Sequence, residues 1–382
     1  MFTLSTSVLH RYEIFDICKE LSITGHLKKL YSTYPKFEIL KYQIPNEKFE
    51  NFLIYELLSR FNDYLWSKNF YFSKYDFEIS DLFDQKISKI IDKNIDVFYG
   101  NGGMCLNTFN SLSSNTLKVF HSASMHIHSK KKLLINIGYD ENKIVNPLME
   151  EKYIKEIGSA DYIVCTSDHT YDSYIENGIN ENKLILNHSG IDVHRFKYDE
   201  KFEIFDNKFR FLFVGNFSLR KGAIKLLEAY KKIRNKNTEL IIAGTIDFTV
   251  KEKFHNYLKE EDIIYIGKID NRKLYQLYSK CHLLCLPAIE EGFAKVLGEA
   301  MASGLPILCS KNSGGSHFIE DRSHGVVLDN LSIDYIADHL SEFSKNLQLI
   351  VKNKKSLSLY AKNKFSWEKS VSKLIKILSS KI

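Results

Sequence analysis

The chain has 382 residues, 44% of them hydrophobic, which suits two domains that each bury a core of their own. Its net charge of +6 favours phosphate-bearing ligands or an anionic membrane surface but falls short of a nucleic-acid signature, so no nucleic-acid partner is expected. No segment reaches the roughly 20 apolar residues of a membrane span, and no basic leader with an apolar core opens the chain. A soluble, cytoplasmic protein is expected, at most peripheral to the inner face of a membrane.

Met1 to Leu4 reads as the end of a first strand, and about Tyr12 to Leu21 as a helix with apolar residues at Ile14, Ile17, Cys18 and Leu21. The stretch between them, Ser5 to His10, has no glycine, so no phosphate grip is expected at this first turn. Residues 51 to 77 are rich in aromatics, including Phe52, Tyr55, Phe61, Tyr64, Trp66, Phe70, Tyr71 and Phe72. Two packed helices account for them better than a lipid or acceptor surface, because aromatics serve cores first. Ile95 to Tyr99 is a strand, and the glycines of Gly100-Asn101-Gly102-Gly103 permit a tight turn and close approach of backbone to a ligand. Leu117 to Phe120 leads into a loop with three histidines, His121, His126 and His128. They could bind a metal or present one imidazole to a substrate, and His126 is the candidate for substrate contact. Asp161 to Thr166 is strand-like, with Ser167 placed to cap the next helix. After Leu184 to Asn187, the polar stretch Lys197 to Lys208 reads as a linker.

The second half restarts the rhythm. Phe209 to Val214 is a strand ending at Gly215, Asn216 to Gly222 is a loop carrying Arg220 and Lys221, and Ala223 to Arg234 is an amphipathic helix. Leu240 to Ala243 and Ile263 to Ile266 are strands closed by glycine, and Arg272 to Ser279 is a helix. Leu283 to Leu286 is an apolar strand stopped by Pro287, and the acidic turn Ala288 to Gly292 follows it. A helix from Phe293 to Ala302 and an apolar run from Leu305 to Leu308 complete the unit. The six cysteines lie mostly in or beside apolar runs and read as reduced thiols packed as small hydrophobes. The apolar centre of Cys281 to Cys285 fits a buried strand rather than zinc. Alternating apolar runs and helices in both halves predict two parallel-sheet α/β domains, their ligand at the carboxyl edges of the strands in a cleft between them.

Three loops converge on one edge of the second domain. Arg220 and Lys221 supply two cations, which a pyrophosphate needs where no metal is provided, and the chain has no Asp-x-Asp pair to hold a divalent ion. Phe293, Ala294 and Lys295 supply amides at a helix amino terminus, with Gly292 leaving room for a phosphate to approach. Glu291 and Glu299 supply carboxylates suited to vicinal hydroxyls; eight residues of helical rise would set them about 12 Å apart. Together these groups describe a nucleoside diphosphate with a sugar at each end.

Pro287-Ala288-Ile289-Glu290-Glu291-Gly292-Phe293-Ala294 is similar to a P-S-x-x-E-G-F-G motif, and Glu291 with Glu299 to an E-x7-E signature. Phe213-Val214-Gly215 through Arg220-Lys221-Gly222 to Leu227-Glu228-Ala229 is similar to a phosphate-binding segment. Asn187-His188-Ser189-Gly190-Ile191-Asp192 to Phe196, and Phe365-Ser366-Trp367-Glu368, complete the pattern. On these residues the chain resembles glycosyltransferase family 4, over most of its length and most specifically in its second half. The resemblance implies the GT-B fold: Rossmann-like domains at 1–198 and 199–364 facing a central cleft, and a helix at 365–382 that packs back on the first. It implies metal-independent transfer of a hexose-type sugar from a UDP- or GDP-sugar to a glycan or lipid-linked acceptor, with retention, in cell-surface polysaccharide or lipopolysaccharide biosynthesis. Arg220 and Lys221 would hold the diphosphate, Glu299 the ribose and Glu291 the transferred sugar. Gly215, Gly292 and the amides from Phe293, Ala294 and Lys295 onward would line the phosphates, with His126 near the sugar. Ala288 and Ala294 depart from the family's Ser and Gly. A nucleotide-sugar epimerase on a similar scaffold, a non-catalytic nucleotide-binding scaffold and a two-carboxylate hydrolase are the alternatives.

Overall fold

The structure, a computed structural model, describes residues 1–10, 13–66, 73–204, 206–255, 257 and 259–382. It contains two compact units, Met1–His188 with Trp367–Ile382, and Ser189–Ser366. In the first, β1 (Leu4–Val8), β2 (Leu27–Ser32), β3 (Phe49–Asn51), β4 (Val97–Asn101), β5 (Leu117–Ser122), β6 (Tyr162–Cys165) and β7 (Leu184–Leu186) form one parallel sheet in the order β3-β2-β1-β4-β5-β6-β7. Alternate side chains feed two apolar layers, as the two-residue period of a strand requires. On one face Leu4, Val97, Tyr99 and Val119 meet helix α1 (Ile14–Ile23) and the C-terminal helix Trp367–Ser379, whose Trp367, Val371, Leu374 and Leu378 form one helical stripe. On the other, Phe98, Phe120 and Ile163 meet Phe83 and Ile87.

Two sequence expectations change here. The first strand begins at Leu4 instead of ending there, because Ser5, Thr6 and Ser7, polar enough to read as a loop, are fully buried in the centre of the sheet. Thr6 Oγ1 donates to the Tyr99 carbonyl at 2.6 Å, satisfying a hydroxyl that burial would otherwise penalise. The first strand-to-helix turn therefore falls after Val8; Arg11 and the expected helix start at Tyr12 lie outside the described residues.

The aromatic-rich region does contain a helix, α2 (Leu53–Trp66), followed by α3 (Asp76–Ile90). Phe52 and Tyr55 pack edge-on against Phe83 as core residues would. From there on α2 turns its polar face inward: Glu56, Ser59 and Asn62 are buried, while Leu57, Phe61, Tyr64 and Leu65 are exposed. The inward face is held by a polar network instead of apolar packing. Glu56 accepts from Thr33 Oγ1 at 2.9 Å and pairs with His10 Nδ1 at 3.1 Å and Arg60 Nε at 2.7 Å. Burial pushes its carboxyl up, but these partners outweigh burial and hold it down at about 2. Phe70, Tyr71 and Phe72 lie outside the described residues.

The second unit is a parallel sheet of β8 (Phe209–Val214), β9 (Thr238–Ala243), β10 (Ile263–Gly267), β11 (Leu283–Leu286), β12 (Ile307–Ser310) and β13 (Gly325–Leu328), ordered β10-β9-β8-β11-β12-β13. All six residues of β8 and of β9 are buried, the mark of strands covered on both faces. Both units are thus Rossmann-like. The strand order of the second reverses between β8 and β11, where an open α/β sheet leaves a crevice at its carboxyl edge.

The polar stretch expected as a linker is tied down: Tyr198 N donates to Ser358 Oγ, Asp199 N to Ser279 Oγ, and Glu203 pairs with the buried Lys354 at 3.3 Å. Phe205, within it, lies outside the described residues. All six cysteines are buried and unbridged, and burial pushes the Cys281 and Cys309 thiols up to about 12. Among the described residues no helix is long and apolar enough to cross a membrane.

Candidate functional site

The site is built where β8, β11 and β12 deliver their loops. Gly215 closes β8, and the loop after it returns at Gly222, which has φ +73° and precedes helix α6 (Ala223–Ile233). A Cβ on Gly222 would stand 2.0 Å from the Pro287 carbonyl oxygen, so only glycine lets the first loop press against the end of β11. Backbone hydrogen bonds then sew the loops together. Ile289 N donates to Arg220 O at 2.8 Å, Glu291 N to Asn312 O at 2.9 Å, and Ala294 N to Ser313 O at 2.9 Å. Asn312 Nδ2 donates to Ile289 O, and Ser310 Oγ to the carbonyl of the buried Ala288.

This stitching brings Arg220 and Lys221 against the acidic turn. Arg220 Nη1 lies 3.0 Å from both the carbonyl oxygen and Oε2 of Glu290, and Nη2 lies 3.4 Å from Glu291 Oε2. Lys221 Nζ lies 2.8 Å from the same Glu291 oxygen. The four differ in exposure: the Glu290 side chain is 1% exposed, Lys221 14%, Glu291 19% and Arg220 29%. Glu290 is thus a buried anchor for the guanidinium, and Glu291 a half-buried anion shared by two cations. Sequence reasoning missed Glu290. The available signal was the adjacent pair of acids in a short turn, where neighbouring side chains diverge and one must point inward.

Helix α7 (Lys295–Ala302) begins at Lys295 rather than Phe293, with Ala294 as its cap. Glu291 therefore stands outside the helix, and helical rise does not measure its distance from Glu299. The amides of Ala294, Lys295 and Leu297 donate to the carbonyls of Ser313, Phe293 and Ala294, so these donors are already engaged within the protein. Phe293 packs on Phe318, with ring centroids 5.4 Å apart. Glu299, within the helix, is half-buried and receives the Tyr278 hydroxyl at 3.4 Å. Burial raises its pKa above the usual carboxylate value, opposed by the nearby charges of Lys295 and Arg195. Gly298 lets this helix approach closely: a Cβ there would lie 2.5 Å from Ile191.

His126 belongs to the first unit and is 3% exposed. It caps helix α4 (Ile127–Asn136), its Nδ1 accepting from His128 N at 3.3 Å, and its own amide donates to Ser173 Oγ. Burial, and then the neighbouring His128, lower its pKa to about 4, so the ring is neutral at pH 7. Capping fixes Nδ1 as the acceptor and leaves the proton on Nε2. His121 is held differently, with Nδ1 2.8 Å from the Tyr99 hydroxyl and Nε2 2.9 Å from Glu13. In the loop after β4, the amides of Gly103, Cys105 and Leu106 donate to the buried carboxylate of Glu156, on helix α5 (Pro147–Ser159). Burial pushes that carboxyl up to about 7 against these donors. Among the described residues no group of three or more His, Cys, Asp or Glu is placed to hold a metal ion.

Comparison with known proteins bears on this arrangement. Residues 194–364 match the family model of Glycosyl transferases group 1. The chain is 24% identical to an uncharacterized glycosyltransferase of Methanocaldococcus jannaschii, over 98% of this chain and 92% of that protein. It is 30% identical to the lipopolysaccharide 1,2-N-acetylglucosaminetransferase of Salmonella typhimurium, over 41% of this chain and 44% of that protein. Among solved structures, Anabaena HepE in complex with UDP-glucose superimposes with a TM-score of 0.69 at 15% identity, covering 100% of both chains.

Proposed function

We propose that this chain, a GT-B glycosyltransferase with its glycosyl transferases group 1 segment at residues 194–364, moves a hexose-type sugar from a UDP- or GDP-sugar to a glycan or lipid-linked acceptor, with retention at the anomeric carbon. The observation that carries this is the pair of cations, Arg220 and Lys221, held at the reversal of strand order beside Glu291. The demanding event is departure of the nucleoside diphosphate. Arg220 and Lys221 stabilise its developing negative charge without a metal, with Gly215, Gly292, Phe293, Ala294 and Lys295 beside the phosphates. Glu299 accepts from the ribose hydroxyls and Glu291 from those of the transferred sugar. His126, neutral with its proton on Nε2, is a donor to the sugar. With no covalent nucleophile in the scheme, attack comes from the face the diphosphate leaves, assisted by its phosphate.

The acceptor belongs to cell-surface polysaccharide or lipopolysaccharide assembly, a reading supported by the likeness to the Salmonella transferase. The protein acts in the cytoplasm, peripheral to the inner face of the membrane, and the outward apolar face of α2 supports that contact. Screening UDP- and GDP-sugars for diphosphate release, with and without glycan acceptors, tests the proposal, and the anomer of the product tests retention. Interconversion of free nucleotide sugars without any acceptor would instead establish an epimerase.

A further inference from the structure

The charges of this cluster balance: Arg220 and Lys221 carry two positive charges, and Glu290 and Glu291 two negative ones, all within 3.4 Å of a partner. A diphosphate cannot simply be added to such a cluster, because a second anion on the same cations would repel the first. One carboxylate has to leave. Glu290 is the wrong candidate: its side chain is 1% exposed, and its carbonyl and carboxylate both hold Arg220 Nη1. Glu291 is the right one. Its side chain is 19% exposed and its backbone is fixed by the bond from its amide to Asn312 O. A change of rotamer can therefore take the carboxylate off the two cations while the backbone stays in place.

We propose that Glu291 is an exchangeable counter-ion that occupies the diphosphate position between Arg220 and Lys221 and is displaced more readily by a nucleotide that brings a sugar than by one that does not. This rests on the reading of the site as a nucleotide-sugar site and adds a basis for selectivity. An intact nucleotide sugar offers hydroxyls that donate to the displaced carboxylate, so the ion pairs lost are replaced by hydrogen bonds. A nucleoside diphosphate without its sugar offers none and has to compete with Glu291 for the cations. The same exchange clears the product: once the sugar has been transferred, the carboxylate returns to Arg220 and Lys221 and expels the nucleoside diphosphate. Glu290 stays in place throughout as the positioning residue that keeps Arg220 aimed.

The test is calorimetric binding of inorganic pyrophosphate, UDP, GDP and the corresponding nucleotide sugars to the full chain and to Glu291→Gln. The variant is expected to bind pyrophosphate and the cognate nucleoside diphosphate about tenfold tighter than the unaltered protein, because a competing anion is gone. It should bind the nucleotide sugar no tighter, and show stronger inhibition by product. Pyrophosphate and nucleoside diphosphate affinities that do not rise in Glu291→Gln, in a protein that releases diphosphate from a nucleotide sugar, overturn the exchange and leave the transferase reading standing. If the unaltered protein binds no nucleotide and releases no diphosphate, both readings fall. Should Glu291→Gln fail to fold by thermal unfolding, Glu291→Asp, whose carboxylate is withdrawn by one methylene, should tighten pyrophosphate binding in the same direction. An unchanged affinity in that variant also overturns the proposal.

Discussion

The two sheets end in the same kind of edge but use charge in opposite ways. At the carboxyl ends of β8, β11 and β12, backbone hydrogen bonds fasten the loops, and Arg220, Lys221 and Glu291 are partly exposed and ion-paired with one another and with Glu290. At the carboxyl ends of β1, β4 and β5, the ionisable side chains themselves do the fastening. His10 is tied to Glu56, His121 to Glu13, and Glu156 to three loop amides, each pair with a buried carboxylate. The first arrangement can exchange partners with a charged ligand. The second is already satisfied, and disturbing it costs stability.

That contrast can be broken by mutation, and the largest effect should come from the first unit. Lys152 Nζ lies 2.8 Å from Asp81 and 3.1 Å from the fully buried Asp84. Lys152→Ala leaves a buried carboxylate uncompensated and should lower the unfolding free energy by about 3 to 5 kcal/mol in denaturant titration. Glu299→Ala should leave folding intact and weaken donor binding by about 1 to 2 kcal/mol, roughly tenfold, in calorimetry. Because its pKa is raised, wild-type donor binding should decline on acidification at a higher pH than an ordinary glutamate would give. Unaltered nucleotide affinity in the variant would count against the ribose role.

Smaller effects follow. Phe61 is 62% exposed on the outward face of α2, so Phe61→Ser should change stability by less than about 0.5 kcal/mol. It should still reduce binding to anionic lipid vesicles in a sedimentation assay. Equal binding by the two proteins would remove the membrane role of that face. The His126 imidazole has its folded pKa depressed from 6.5 to about 4, so its contribution to stability is present above pH 6.5 and lost as pH falls towards 4. His126→Ala should cost about 1 kcal/mol as a lost helix cap yet show a smaller drop in melting temperature between pH 7 and pH 5. An identical drop would show that the histidine is not the titrating group.

The second unit was the more legible because its strands are apolar runs buried on both faces and closed by glycines, and because Arg220 and Lys221 sit in the loop after such a strand. What the sequence hid has definite causes. Ser5, Thr6 and Ser7 read as a turn because hydroxyls are rare in central strands, yet all three are buried in the sheet, where the Tyr99 carbonyl accepts from Thr6. The inversion of α2 was invisible because a 3.6-residue period says that a helix has two faces without saying which is inside. The paired acids 290 and 291 carried no sign of which was anchor and which was exchangeable. That depended on the path of Pro287 over Gly222.

The most direct test of the account is the rate of nucleoside diphosphate release from the cognate nucleotide sugar, with acceptor, by the unaltered protein and by Arg220→Ala and Lys221→Ala. Loss of a charge-assisted contact to the leaving phosphate, about 2 to 4 kcal/mol, predicts that each variant loses roughly 30- to 1000-fold in kcat/KM while folding normally. Near-normal transfer by either variant would contradict the placement of the leaving diphosphate between these two cations.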